Sequence, residues 1–174
     1  MVNSVSDSDS DIPTLSAYAA EALKDQFWYS DATSEYLSNI AHSIAAKNDS
    51  EGLIVFMSSP TAFVKFVDMY PNYQNVYLLE FDQRFNLYKE KYYKYDYNKQ
   101  SELPGFLTQN KAATIILDPP FLNEDCLTKF MASVSLLSDD NTKVLLCSGA
   151  VMKPLAQTFN LKQTNFFPEH KKSR

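Results

Sequence analysis

Glycine is scarce in this chain, three in 174 residues, and none stands in the turn after the first predicted strand, 52–57. That excludes the glycine-rich fingerprint by which nucleotide-binding turns are usually found. The two histidines, His42 and His170, lie far apart without cysteine neighbours, so a zinc site has no support. The two cysteines, Cys126 and Cys147, fall in or beside predicted helix and strand segments. They read as reduced core thiols of an intracellular protein rather than a disulfide framework. No apolar run approaches a membrane span, and no charged-then-apolar leader opens the chain, so neither an anchor nor a secretory signal is expected. Basic charge is also short: 16 Lys and Arg face 21 Asp and Glu, for a net charge of −5. This argues against gripping nucleic acid through its phosphates and suits a basic protein substrate.

Against these absences, 45% hydrophobic and 21% charged residues supply enough apolar material for the core of one domain. Ala112–Leu117 is a short continuous apolar run with β-branched residues at its centre, the pattern of a strand buried on both faces of a parallel sheet. It runs straight into Asp118-Pro119-Pro120-Phe121. In open α/β sheets ligands bind outside the carboxyl ends of the strands, so Asp118 is placed for chemistry. Proline cannot extend a sheet ladder and holds the preceding residue extended, so Asp118 and Pro119 are pinned and the strand must stop. The Asp118 carboxylate, the Pro119 carbonyl and the Phe121 ring then form rigid acceptors beside an aromatic wall, an arrangement that suits an amine. The plainer alternative is a proline-stiffened loop after a core strand.

The remaining segments read as alternating strands and helices. Residues 52–57 predict the first, central strand; 75–79 the second, delivering Glu80 at its end and Asp82 two residues on; Asp96 ends the third. Residues 144–147 predict the fifth strand, and 162–167 are a candidate sixth. Ser59 as N-cap and Pro60 at the first helical position start a helix with Phe63, Phe66, Val67 and Tyr70 on its apolar face. Backbone N–H groups at that start face the crevice, which makes Ser58 a candidate cofactor contact. Behind the cap candidate Asp31, Leu37, Ile40, Ala41 and Ile44 have helical spacing and are expected in the core. Asn123 caps a helix whose buried stripe is Leu127, Phe130, Met131 and Val134. A carboxylate at Glu80 can accept both hydroxyls of a ribose, whereas Asp82 can pair with Arg84 or cap the next helix. Trp28, the only tryptophan, sits in Gln26–Ser30, on residue chemistry a hydrophobic plug or part of a site. Tyrosines and lysines alternate over 88–99, consistent with half-buried packing or with a platform for single-stranded nucleic acid. Residues 1–12 are expected to be a disordered acidic tail, followed by a helix from Thr14 through Leu15, Tyr18, Ala19 and Ala22.

Asp118-Pro119-Pro120-Phe121 resembles the (Asn/Asp/Ser)-Pro-Pro-(Tyr/Phe/Trp) motif of class I S-adenosylmethionine-dependent methyltransferases that modify amino or amide nitrogens, N6-adenine enzymes among them. Gln26-Phe27-Trp28-Tyr29-Ser30, Glu80-Phe81-Asp82-Gln83-Arg84-Phe85 and Tyr95-Asp96-Tyr97-Asn98 resemble one branch, the eukaryotic lysine methyltransferases of translation elongation factor 1-alpha. The four stretches stand in the right order, and the resemblance covers residues 13–170.

It implies an α/β, Rossmann-like fold with a doubly wound, mostly parallel sheet and S-adenosylmethionine as cofactor, held by Ser58, Glu80 and Asp96 and overlain by Trp28 and Tyr29. Asp118 would orient or deprotonate the substrate amine. The Pro119 carbonyl would hold a second N–H, Pro120 would complete the motif, and Phe121 would pack on the substrate stem, with no metal. It further implies elongation factor 1-alpha as protein substrate and a cytoplasmic monomer without membrane contact. Class I enzymes finish with a hairpin whose last strand inserts antiparallel beside the fifth. Here residues 171–174 form a basic end, so the expectation is a shortened domain without that strand, an unpaired edge on the fifth strand, and impaired activity. Two other classes stay open: a nucleic-acid N6-adenine methyltransferase with Phe121 stacked on a flipped base, and a non-catalytic scaffold of the same fold.

Overall fold

The computed structural model describes residues 28–47 and 50–171. The expected acidic tail, the helix from Thr14, Gln26 and Phe27, and residues 172–174 lie outside them.

Helix α1 (Asp31–Ala45) leads into a short antiparallel pair, β1 (Ala46–Lys47) and β2 (Ser50–Glu51). The main sheet then begins with β3 (Ile54–Met57), followed by α2 (Pro60–Met69), β4 (Val76–Glu80), a 3-10 segment over Gln83–Lys91, and β5 (Tyr92–Lys94). Next come α3 (Gly105–Asn110), β6 (Thr114–Leu117), α4 (Glu124–Leu137), β7 (Lys143–Leu146) and α5 (Lys153–Thr158). The strand order is β5-β4-β3-β6-β7, every neighbouring pair parallel. β3 and β6 are buried at every residue, as their continuous apolar runs require.

Strand alternation divides the core between the two faces. Ile54, Phe56 and Ile116 point into one cluster with Leu37 and Ala41 of α1 and Phe63 and Phe66 of α2. Val55, Met57, Ile115 and Leu117 point the other way, onto Leu107 of α3 and Phe130 and Val134 of α4. Burial of each such side chain contributes roughly 1.5–3 kcal/mol. The chain starts at β3, winds outward to β5, then crosses back to β6, so the winding reverses between β3 and β6. A crevice therefore opens at their carboxyl ends. Gly52 permits the approach to β3: a Cβ there would lie 2.8 Å from that of Ala113 and 2.9 Å from the Ala45 carbonyl oxygen.

Several expectations need correction. The cap of α1 is Ser30, not Asp31; its hydroxyl accepts from the Thr33 N–H at 3.2 Å. The core stripe of α1 is Leu37, Ala41 and Ala45 with Thr33, Ser34 and Ser38, while Ile40 and Ile44 are only half-buried. Small residues occupy the contact line, and Ser38 donates to the Ala62 carbonyl at 3.4 Å, so α1 and α2 approach closely and the isoleucines turn outward. Residues 162–167 form no strand. They run as irregular chain to the start of α1, where Phe166 stacks on Tyr36 with ring centroids 3.8 Å apart.

Among the described residues β7 has a neighbour, β6, on one side only. A groove of about 480 Å³ runs along it, lined by Tyr36, Ile40, Val144, Leu146, Met152 and Phe166. No helix among the described residues is long and apolar enough to cross a membrane.

Candidate active site

Parallel register puts three candidate residues in one row. Met57 pairs with Leu79 on one side and Leu117 on the other, so Ser58, Glu80 and Asp118 are the next residues on three adjacent strands. The ladder continues one step further: Ser58 N–H donates to the Leu79 carbonyl at 2.8 Å and Asp118 N–H to the Met57 carbonyl at 3.1 Å. Ser58 then turns the chain with φ 47°, a left-handed conformation that costs a residue with a Cβ but not glycine. Ser59 stands at the N-cap position of α2, but its hydroxyl caps nothing and is buried without a hydrogen-bond partner.

Asp118 is half-buried, and burial pushes its carboxyl up to about 6, against the opposing pull of the Tyr29 hydrogen bond and of His170. The Tyr29 hydroxyl donates to Asp118 Oδ2 at 2.6 Å. Pro119 is buried; Pro120 and Phe121 are exposed, the Phe121 ring by 53%. Tyr97 meets that ring edge-on, centroids 6.4 Å apart at 70°. A carboxyl acceptor and an uncovered aromatic face thus flank the mouth of the crevice.

The second acid is Glu80, half-buried, its carboxyl raised by burial while the Asp82 N–H, donating at 3.0 Å, works the other way. Asp82 takes both of its expected alternatives at once. It accepts from the Arg84 N–H at 2.9 Å and from the Arg84 guanidinium, Nη2 lying 2.7 Å from Oδ2. Phe81 is 60% exposed beside Glu80, with Lys94 Nζ 5.3 Å from its ring centroid. Asp96 lies two residues beyond β5 rather than at its last residue, and its Oδ1 accepts from the N–H and side-chain amide of Asn98 at 2.9 and 3.2 Å.

Trp28 is half-buried against the cluster on the α1 and α2 side, while Tyr29 enters the Asp118 site. The alternation over 88–99 is a packing pattern. Tyr88, Tyr92 and Tyr95 are buried, and Lys89, Lys94 and Lys99 point to solvent. Acceptors at Glu80 and Asp118 and exposed rings at Phe81 and Phe121, with no basic side chain in the row of three, fit a cationic ligand rich in hydroxyls.

Two neighbours of Asp118 were not foreseen as site residues. Cys147 follows β7 directly, and since Leu117 pairs with Leu146 it is the next residue opposite Asp118. Register counting could have found it. Burial pushes its thiol up to about 12. His170 stacks on the Tyr29 ring at 4.9 Å, a contact 141 residues away in sequence with no local signal.

A parallel sheet reversing at β3/β6, with an acid, two prolines and an aromatic residue at the reversal, defines a methyltransferase of Rossmann-like fold, an enzyme that draws on a methyl donor. A family model described as "Probable N6-adenine methyltransferase" matches residues 21–174, and the chain belongs to that family. It is 34% identical to the EEF1A lysine methyltransferase 1 of Mus musculus over 149 residues, 85% of this chain and 67% of the mouse protein. The protein of that name from Gallus gallus is 31% identical over 200 residues, 96% of this chain and 92% of its own. A protein-lysine N-methyltransferase of Caenorhabditis elegans is 38% identical over 153 residues, 83% of this chain and 69% of its own. No solved structure matches.

Proposed function

We propose that this chain transfers a methyl group from S-adenosylmethionine to a lysine ε-amine of translation elongation factor 1-alpha. The observation that carries the reading is the Asp118 carboxylate at the β3/β6 reversal, half-buried, beside the exposed ring of Phe121. The names of the relatives supply the acceptor, and the net charge of −5 suits a basic protein better than a polyphosphate.

S-adenosylmethionine, when bound, supplies an electrophilic methyl group on a sulfonium. The protein must deliver a neutral amine, and a lysine with an ordinary pKa near ~10.4 must first lose a proton. Asp118, ionised above about pH 6, accepts an N–H of the amine and orients its lone pair. The Pro119 carbonyl accepts a second N–H, Pro120 keeps that carbonyl fixed, and Phe121 packs on the lysine stem and its cationic form. Desolvation of the lysine as it enters the crevice lowers the amine's pKa, and its seating there aligns the pair. Glu80 would hold ribose hydroxyls, Asp96 the adenine amino group and Ser58 the methionine portion, with Trp28 and Tyr29 covering the cofactor. The protein acts as a cytoplasmic monomer through one domain, residues 13–170.

The test is transfer of labelled methyl to purified elongation factor 1-alpha and to a DNA oligonucleotide offered together, with Asp118→Ala as control. Label on the protein, lost in the variant, is the expected result. Label on the oligonucleotide would overturn it in favour of the adenine amine, which the same acceptors would hold.

A further inference from the structure

Residues 166–171 pack along the start of α1. The Ser30 N–H donates to the Glu169 carbonyl at 2.7 Å, the Glu169 N–H to Thr33 Oγ1 at 2.8 Å, and the Lys171 N–H to the Trp28 carbonyl at 2.8 Å. Tyr29 and His170 form an antiparallel bridge with their rings stacked, and Lys171 Nζ lies 3.2 Å from Asp31 Oδ1. Phe166 on Tyr36 anchors the other end. These contacts flank Tyr29 on both sides and His170 touches it directly; Tyr29 is 4% exposed and donates its hydroxyl proton to Asp118 Oδ2 at 2.6 Å.

A carboxylate has two oxygens and rotates freely unless one is held. A short hydrogen bond from a buried phenol holds it, favours its ionised form and leaves Oδ1 for another donor. Among the described residues, the titratable groups facing this carboxylate are the Tyr29 hydroxyl from the segment before α1, the Cys147 thiol after β7, His170 on the strap and Glu80 at the end of β4. Of these, the Tyr29 hydroxyl is the donor seated on it.

We propose that Tyr29 is a positioning residue, that its hydroxyl fixes the Asp118 carboxylate so that Oδ1 receives the substrate amine, and that residues 166–171 are the strap that keeps it there. The proposal rests on the reading of Asp118 as the residue that meets the amine. It gives the Tyr29 hydroxyl a duty toward the acceptor side of the reaction, beyond covering the cofactor. It also couples the acceptor site to the far end of the chain.

The experiment is carbon-detected NMR titration of the Asp118 carboxyl in the 174-residue chain and in Tyr29→Phe, with steady-state kinetics on elongation factor 1-alpha alongside. The expected result is an upward shift of about one pH unit in the variant, as one charge-assisted bond is lost. With it goes a fall of about tenfold in kcat, with KM for the protein acceptor within about twofold. Phe166→Ala, remote from the carboxylate, loosens the strap and should move the titration in the same direction; it serves where Tyr29→Phe does not fold. An unmoved Asp118 titration in both variants overturns the proposal, as does a fall in kcat without the titration shift, which a merely structural tyrosine would produce. Full activity in Asp118→Ala would instead defeat the functional reading, even with the Tyr29→Phe shift observed, so the two failures are distinguishable.

Discussion

Ser58 and Asp118 stand side by side on β3 and β6, each one residue beyond the paired Met57 and Leu117, and only one of them has an ordinary backbone. Ser58, at φ 47°, occupies the turn where a glycine would be at ease. A Cβ in this conformation costs on the order of 1–2 kcal/mol, and the entropy that glycine adds to the unfolded chain returns part of it. Ser58→Gly is therefore expected to stabilise the protein by about 0.5–1 kcal/mol, and Ser58→Val to destabilise it by about 1–2 kcal/mol because a β-branched side chain crowds the turn further. Equal urea midpoints for the three chains would show that the turn carries no strain.

Asp118 makes the site costly to the fold, and the sign follows from its burial. Its folded pKa, about 6, lies above the ordinary value of 3.8, so the folded state binds more protons than the unfolded state between those values. The contribution of this one group is therefore full below about pH 3.8 and is lost as pH rises through about 6. Asp118→Asn keeps an acceptor for Tyr29 and removes the titration. At pH 7.5 the variant should be more stable by about 1–3 kcal/mol, and the advantage should vanish near pH 4. Thermal unfolding across that range checks it; a pH-independent difference would mean that desolvation of the carboxylate is not the cause.

The same titration shapes the rate. If ionised Asp118 receives the amine, its protonation adds a fall of about tenfold per pH unit below about 6 to the slope that the lysine's own deprotonation imposes, so the profile steepens there. Initial rates between pH 5 and 8 at saturating cofactor would show it. A slope that stays the same through pH 6 would remove Asp118 from the chemical step while leaving its place in the fold untouched.

Much of this arrangement was legible in the chain because its signals are local. The runs that became β3 and β6 are apolar without interruption, and Pro119 and Pro120 mark the strand end within a residue. What was not legible depends on partners distant in sequence. The helical spacing of Leu37, Ile40, Ala41 and Ile44 identifies an apolar face but not that Ser34, Ser38 and Ala45 allow α2 to come closer on one side of it. Residues 162–167 carry enough aromatic and polar alternation to suggest a strand, yet the partners that order the chain just beyond are Trp28, Tyr29, Ser30 and Thr33. Nothing in either segment names the other, so the link between Tyr29 and His170 could come only from the fold.

The two acids after β4 offer a final discrimination. Asp82 is committed to the backbone and guanidinium of Arg84, whereas Glu80 receives the Asp82 N–H on Oε1 and sits in the row with Ser58 and Asp118. A carboxylate that accepts ribose hydroxyls contributes a charged hydrogen bond, so Glu80→Gln should weaken binding of S-adenosylhomocysteine by about 10- to 100-fold. Asp82→Asn retains an oxygen for the Arg84 N–H and loses only a partly exposed ion pair, so its binding should stay within about twofold. Titration calorimetry on both variants decides between them. Should Asp82→Asn be the weaker binder, the ribose contact moves two residues along the chain, and the bond from Arg84 to Asp82 becomes a clamp that the cofactor must displace or share.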